Sequence, residues 1–143
     1  MNSNYSRRSF SMLLPGFAAV PLAGQESSKP LPSKAFQFEN LPTRVNGSNK
    51  THAVFNGETH SGFAVEVHVT ELGAGQSPHP PHQHVHEEMF LVQTGLLDAT
   101  VNGKTQRLTP GSVFYVNSNE MHGVHNPGPD RAEYFVVALG ADS

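Results

Sequence analysis

Beyond residue 50 the chain alternates between apolar and polar positions. The period is two over Thr51–Phe55, Gly62–Leu72, Glu88–Gln93, Leu96–Val101, Thr105–Leu108, Ser112–Val116 and Ala132–Leu139, runs rich in Val, Phe, Thr and Tyr. Each run is bounded by Gly, Pro or Asn, residues suited to turns rather than ladders, so each predicts a short strand, seven or eight in all. Asn102-Gly103 separates two of the runs. Both residues tolerate positive φ, which predicts a two-residue type I′ hairpin there. No stretch outside the N-terminal segment keeps a helical period for ten residues. A chain of many short strands must dispose of its edges, so the pattern favours an all-β single domain, either a closed barrel or a two-sheet jelly roll.

Composition narrows this further. The 143 residues include 13 Gly and 11 Pro, with only 15% charged, a balance that suits turns and short strands and excludes a helix bundle. There is no Cys, which removes a disulfide framework, a thiolate metal site and a cysteine nucleophile together. Net charge is −3, and residues 1–24 carry Arg7 and Arg8 without an acid, leaving 7 basic against 12 acidic side chains beyond them. Nucleic acid is not an expected partner.

Residues 1–24 read as an export signal: a basic start, a weakly apolar stretch from Leu13 to Leu22, then Ala23-Gly24. Ser6-Arg7-Arg8-Ser9-Phe10 resembles the twin-arginine consensus and departs from it at Ser11 and Met12. The expected location is periplasmic or secreted, with no membrane insertion once the signal is removed, because no other segment is apolar enough to span a bilayer. Residues 25–34, polar and Pro-containing, read as a linker, and residues 35–143 as the folded domain.

The chain has nine histidines. His79, His82, His84 and His86 precede Glu87 and Glu88, and His122 follows later. Residues two apart on a strand share a face, so His82 and His84 can converge, and Glu88 has the same parity. On a straight strand, however, His82 and Glu88 would stand roughly 20 Å apart. A shared ion therefore requires a bend between Val85 and Glu87. Pro78, Pro80 and Pro81 keep the lead-in segment out of a central ladder, which suits a rim position.

These residues resemble the cupin superfamily, in particular the small single-domain cupins. His82, His84, Glu88 and Gly95 match the last four positions of the first cupin motif, while Gly75 falls one residue before its leading glycine, where Gln76 stands. In the second motif Gly111, His122 and Asn126 are in register, and Asn117 and Asn119 replace Pro and Gly. The resemblance implies a double-stranded β-helix jelly-roll barrel that holds one divalent metal on His82, His84, Glu88 and His122. Imidazoles with one carboxylate suit transition metals rather than calcium or magnesium. Four protein ligands leave a reactive position most readily on a five- or six-coordinate ion, which points to Fe, Mn or Ni ahead of Cu, Co or Zn.

Alternatives stay open around this set. Glu87 competes with Glu88 but breaks its parity, and His86 is either a ligand or a neighbour of the ligands. His79 and His125 read as loop residues, and His52, His60 and His68 as surface or packed histidines. Asn126 either serves the mouth or caps a turn. Phe90, Phe114, Phe135 and Tyr134 are either core or pocket lining. The resemblance implies an exported metal-dependent enzyme, an oxidoreductase of dioxygenase type or an oxalate-type lyase, acting on a small oxygenated organic molecule. Glu88 and Glu87 are the candidate catalytic residues, with Glu120 and His86 as further proton carriers. The alternative is a binder of a small ligand or metal without turnover. A homodimer is the implied assembly, since small cupins cover apolar sheet surface by pairing.

Overall fold

A computed structural model describes residues 30–140. The export signal and the start of the linker lie outside the described residues. Nine strands form: β1 (Thr43–Asn46), β2 (Asn49–Glu58), β3 (Ala64–Leu72), β4 (Glu87–Thr94), β5 (Leu97–Val101), β6 (Lys104–Leu108), β7 (Val113–Val116), β8 (His122–His125) and β9 (Ala132–Leu139). They make a six-stranded sheet in the order β1-β2-β3-β9-β4-β7 and a three-stranded sheet in the order β6-β5-β8, with every pairing antiparallel. This is the expected jelly roll.

The alternating pattern tells why the two sheets face each other. In β9 Ala132, Tyr134, Val136 and Ala138 are buried and the residues between them are half-buried. Tyr134 and Val136 pack with Leu72, Phe90, Val92, Leu97, Ala99, Leu108, Val116 and Val124 into one core drawn from both sheets. Asn102 and Gly103 take φ of 48° and 79° at the β5–β6 hairpin, as a type I′ turn requires. Gly95 adopts φ 75°, and a Cβ there would lie 2.6 Å from the Arg131 carbonyl oxygen. No other residue fits the turn between β4 and β5 without displacing the start of β9.

Two strands escape the sequence pattern. β1 is exposed along its whole length, so it carries no buried alternation. β8 reads His-Gly-Val-His, which lacks the β-branched and aromatic density of a recognisable strand. At the front of the described chain the Leu31 N–H donates to the Glu58 carbonyl at 2.8 Å, and the Leu31 side chain occupies the space a Cβ on Gly57 would need. The Phe36 ring then rests on Phe55 and the Phe38 ring on His52.

Candidate metal centre

His82 and His122 form an antiparallel bridge between the loop before β4 and the start of β8. His82 N donates to the His122 carbonyl at 2.9 Å, and His122 N returns a bond to the His82 carbonyl at 2.8 Å. Residues paired in this way project to the same side, and their ring centroids lie 4.7 Å apart. His84 returns to that side, 5.0 Å from the His82 ring and 4.8 Å from the His122 ring. The backbone then bends at Val85 and His86 before entering β4, where a common site requires it. Glu88, opposite Ala138 on β9 and Val116 on β7, faces the barrel interior.

The ring nitrogens are organised atom by atom. His84 Nδ1 donates to the His86 carbonyl and His122 Nδ1 to the Glu120 carbonyl, both at 2.8 Å. A carbonyl only accepts, so each Nδ1 carries the proton and each Nε2 is left as a lone-pair donor. Those two Nε2 atoms and His82 Nδ1 are buried with no hydrogen-bond partner among the described residues. One ligand atom from each of the three rings lies within 4.8 Å of the others. The Glu88 carboxylate completes the group, with Oε2 3.3 Å from His122 Nε2 and Oε1 3.5 Å from His84 Nε2.

These separations decide what the cluster is built for. A charge-assisted hydrogen bond would draw nitrogen and oxygen to about 2.7–2.9 Å. Atoms that each bind one ion at about 2.0–2.2 Å stand roughly 3–3.5 Å from one another. Each unpartnered buried polar atom also costs about 1–3 kcal/mol, a cost that a bound cation removes for three atoms at once. The residues therefore fit a divalent transition metal. Burial first, and then the nearby His79, His122 and His84 rings, push His82 down to about 4 against the opposing pull of Glu88. It is thus neutral, as a metal ligand must be.

His86 occupies a supporting position. His84, His86 and Glu88 also bring ligand atoms within 4.8 Å, but the two rings stack at 3.6 Å and 10°. An ion in the plane of one such ring lies off the plane of the other, so one ion cannot take both. His86 instead packs on His84, accepts its Nδ1–H through the backbone, and sets its own Nε2 3.4 Å from Glu88 Oε1.

Several sequence candidates fall elsewhere. Glu87 pairs with Leu139, next to Glu88, so strand alternation turns it to the outer face of β4, away from the histidines. Glu120 serves the site through its carbonyl, while its carboxylate accepts from Asn102 Nδ2 at 3.2 Å. The His79 ring packs edge-on against His82 at 4.2 Å without joining the convergent set, and His125 Nδ1 pairs with the Ser77 hydroxyl at 3.1 Å. Asn126 is fully buried and caps a turn: Nδ2 reaches the carbonyls of Leu72, Gly73 and Asp130, and Oδ1 accepts from Gly128 N. Asn119 takes φ 60° and donates its N–H to the His84 carbonyl at 2.8 Å, so asparagine supplies the left-handed turn where the cupin motif has glycine. Phe90, Phe114 and Tyr134 point inward, and Phe135, paired with Val69 and Leu91, points outward.

Two histidines read as surface or packed take defined places. His52 is buried, with Nε2 2.7 Å from Glu71 Oε1 and Nδ1 2.8 Å from the Thr43 hydroxyl. His68 pairs with Val136 and so faces the barrel interior. Its parity relative to the core depends on the β3–β9 register, which no local spacing reveals.

Residues 68–138 match the family described as Cupin domain. No curated protein matches the chain by sequence. Among solved structures, the chain is similar to an RmlC-like cupin from Shewanella frigidimarina NCIMB 400, with 23% identity over 76% of this chain and 93% of that one, at a TM-score of 0.63. It is also similar to KdgF from Halomonas sp., with 21% identity over 76% of this chain and 95% of that one, at a TM-score of 0.64. A third similar structure is described as a predicted oxalate decarboxylase from Thermotoga maritima, with 15% identity over 76% of this chain and 100% of that one, at a TM-score of 0.64.

Proposed function

We propose that this chain, a jelly roll carrying a cupin domain, holds one divalent transition metal on His82, His84, Glu88 and His122 and uses it as an enzyme on a small oxygenated organic molecule. The observation that carries the reading is the convergence of three buried, unpartnered imidazole nitrogens beside a carboxylate 3.3–3.5 Å from two of them. Fe(II), Mn(II) and Ni(II) suit it best, because a six-coordinate ion keeps positions open beyond four protein ligands. When bound, such an ion supplies Lewis acidity and open positions for the oxygen atoms of a substrate.

The chain's own residues do the rest. The carbonyls of His86 and Glu120 hold two ligand rings in one tautomer and orientation. His86 steadies Glu88 with its Nε2 3.4 Å from Oε1 and is a candidate to exchange a proton with a substrate. Phe90, whose ring lies 6.3 Å from that of His122, keeps water from the inner side of the ligands. Export by a twin-arginine route belongs to the same reading and is supported by Arg7-Arg8 ahead of the apolar run. Replacing both with Lys should retain the protein in the cytoplasm, and unchanged export would refute the route.

The deciding experiment is metal analysis of the protein purified from its native compartment. It would be followed by a turnover panel of oxalate, diketones, catechols, flavonols and small sugars with Fe(II), Mn(II), Ni(II) and Cu(II), with and without oxygen. One equivalent of metal and one converted compound are expected. Metal binding with tight ligand capture and no product in any arm would make the protein a binder instead.

A further inference from the structure

On the inner face of the six-stranded sheet, one row of paired residues runs Asn56, Glu66, Ala138, Glu88 and Val116 across β2, β3, β9, β4 and β7. Paired residues share a face, and adjacent strands lie about 4.8 Å apart, so the Glu66 and Glu88 backbones stand roughly 10 Å from each other with only a methyl group between them. The next row is Ala53, His68, Val136, Phe90 and Phe114. Glu66 Oε1 lies 3.3 Å from His68 Nδ1. The side chains of these two residues remain 47% and 25% exposed.

Burial along β9 shows from which end solvent enters. Ala138 is 9% exposed, Val136 4%, Tyr134 1% and Ala132 0%. Burial is thus least complete at the Ala138 end, the end that carries Glu88 and the histidines. Two polar groups flank a small residue there on the same face of the sheet. One is the metal centre, and the other is Glu66 with His68.

We infer that Glu66 and His68 form the second wall of a ligand cleft floored by Ala138, and that the cleft takes a small hydroxylated carboxylate. The inference rests on the metal reading above. A ligand carboxylate would be repelled by Glu66 and attracted to the cation, which fixes its direction. Glu66 accepts hydrogen bonds and His68 braces it, so the opposite end of the ligand must donate, as a hydroxyl does.

The test uses the full mature chain loaded with Ni(II), with metal content measured first in every sample. Glycerate and gluconate are titrated calorimetrically against propanoate and hexanoate, pairs matched in carbon number and charge. Wild-type protein should favour the hydroxylated member of each pair. Glu66→Ala should remove that preference, about tenfold in affinity, and, because it also removes a like charge, should not weaken propanoate or hexanoate. Ala138→Leu should weaken all four ligands with Ni(II) retained. A Ni(II)-loaded wild type that shows no preference or binds none of the four, or a Glu66→Ala variant that keeps the preference, overturns the inference while leaving the metal reading intact. A wild type that fails to bind Ni(II) overturns both.

Discussion

A buried imidazole nitrogen without a partner is a cost unless something meets it, and three in one place set the behaviour of individual residues here. His82→Ala, His84→Ala and His122→Ala should each weaken metal binding at least about tenfold, a loss typical even of groups that only orient ligands. His79→Ala and His125→Ala should change it little, and a calorimetric Ni(II) titration of the five variants tells the two groups apart. A second residue-level expectation concerns Glu71. Desolvation raises its pKa, but the His52 hydrogen bond and the Lys50, Arg131 and His52 charges together outweigh that and hold it below its ordinary 4.5. A carboxyl depressed on folding adds stability that is present above its unfolded pKa and is lost as pH falls through the folded one. Urea midpoints should therefore fall as pH drops below about 4.5, and should fall less steeply in Glu71→Gln. The convergence of His82, His84, Glu88 and His122 is legible in the sequence because all four sit at fixed spacings inside two short motifs. Glu66 and His68 are not legible as neighbours of that site. Their side of the barrel is fixed by pairing with Ala138 and Val136, distant residues whose register only the folded sheet defines.

At the level of elements, legibility follows burial. β9 coincides with its expected run Ala132–Leu139 because every second residue is buried, and the β5–β6 hairpin follows from Asn102-Gly103. β2 extends on both sides of Thr51–Phe55 and contains a register shift between Ala53 and Phe55, which breaks the period of two on which the expectation relies. β1 and β8 are held by partners rather than by their own composition. The turn between β4 and β5 is the element most sensitive to a single change. Gly95→Ala would place a non-glycine residue at φ 75° with its Cβ 2.6 Å from the Arg131 carbonyl oxygen. The backbone conformation alone costs about 1–3 kcal/mol, and the clash adds to it. The denaturant midpoint of this variant should drop sharply, whereas Gly103→Ala, with nothing within 4 Å of the added Cβ, should lose only the backbone part.

For the whole molecule, the need to close sheet edges leaves a closed barrel or a jelly roll legible from strand count and the cupin motifs choose the jelly roll, while the way its two layers are fastened is not legible. Glu88 belongs to the six-stranded layer, His122 to the three-stranded one, and His82 and His84 to the loop that bridges them. An ion shared by these side chains acts as a rivet through both layers, so its effect falls most heavily on the event that parts them. Any route to global unfolding would have to pull that rivet, so metal loading would set how long the protein survives. Incubation with a nonspecific protease, with and without a strong chelator, measures this directly. The metal-loaded chain should persist many times longer, and equal half-lives would mean that the two layers part without disturbing the site.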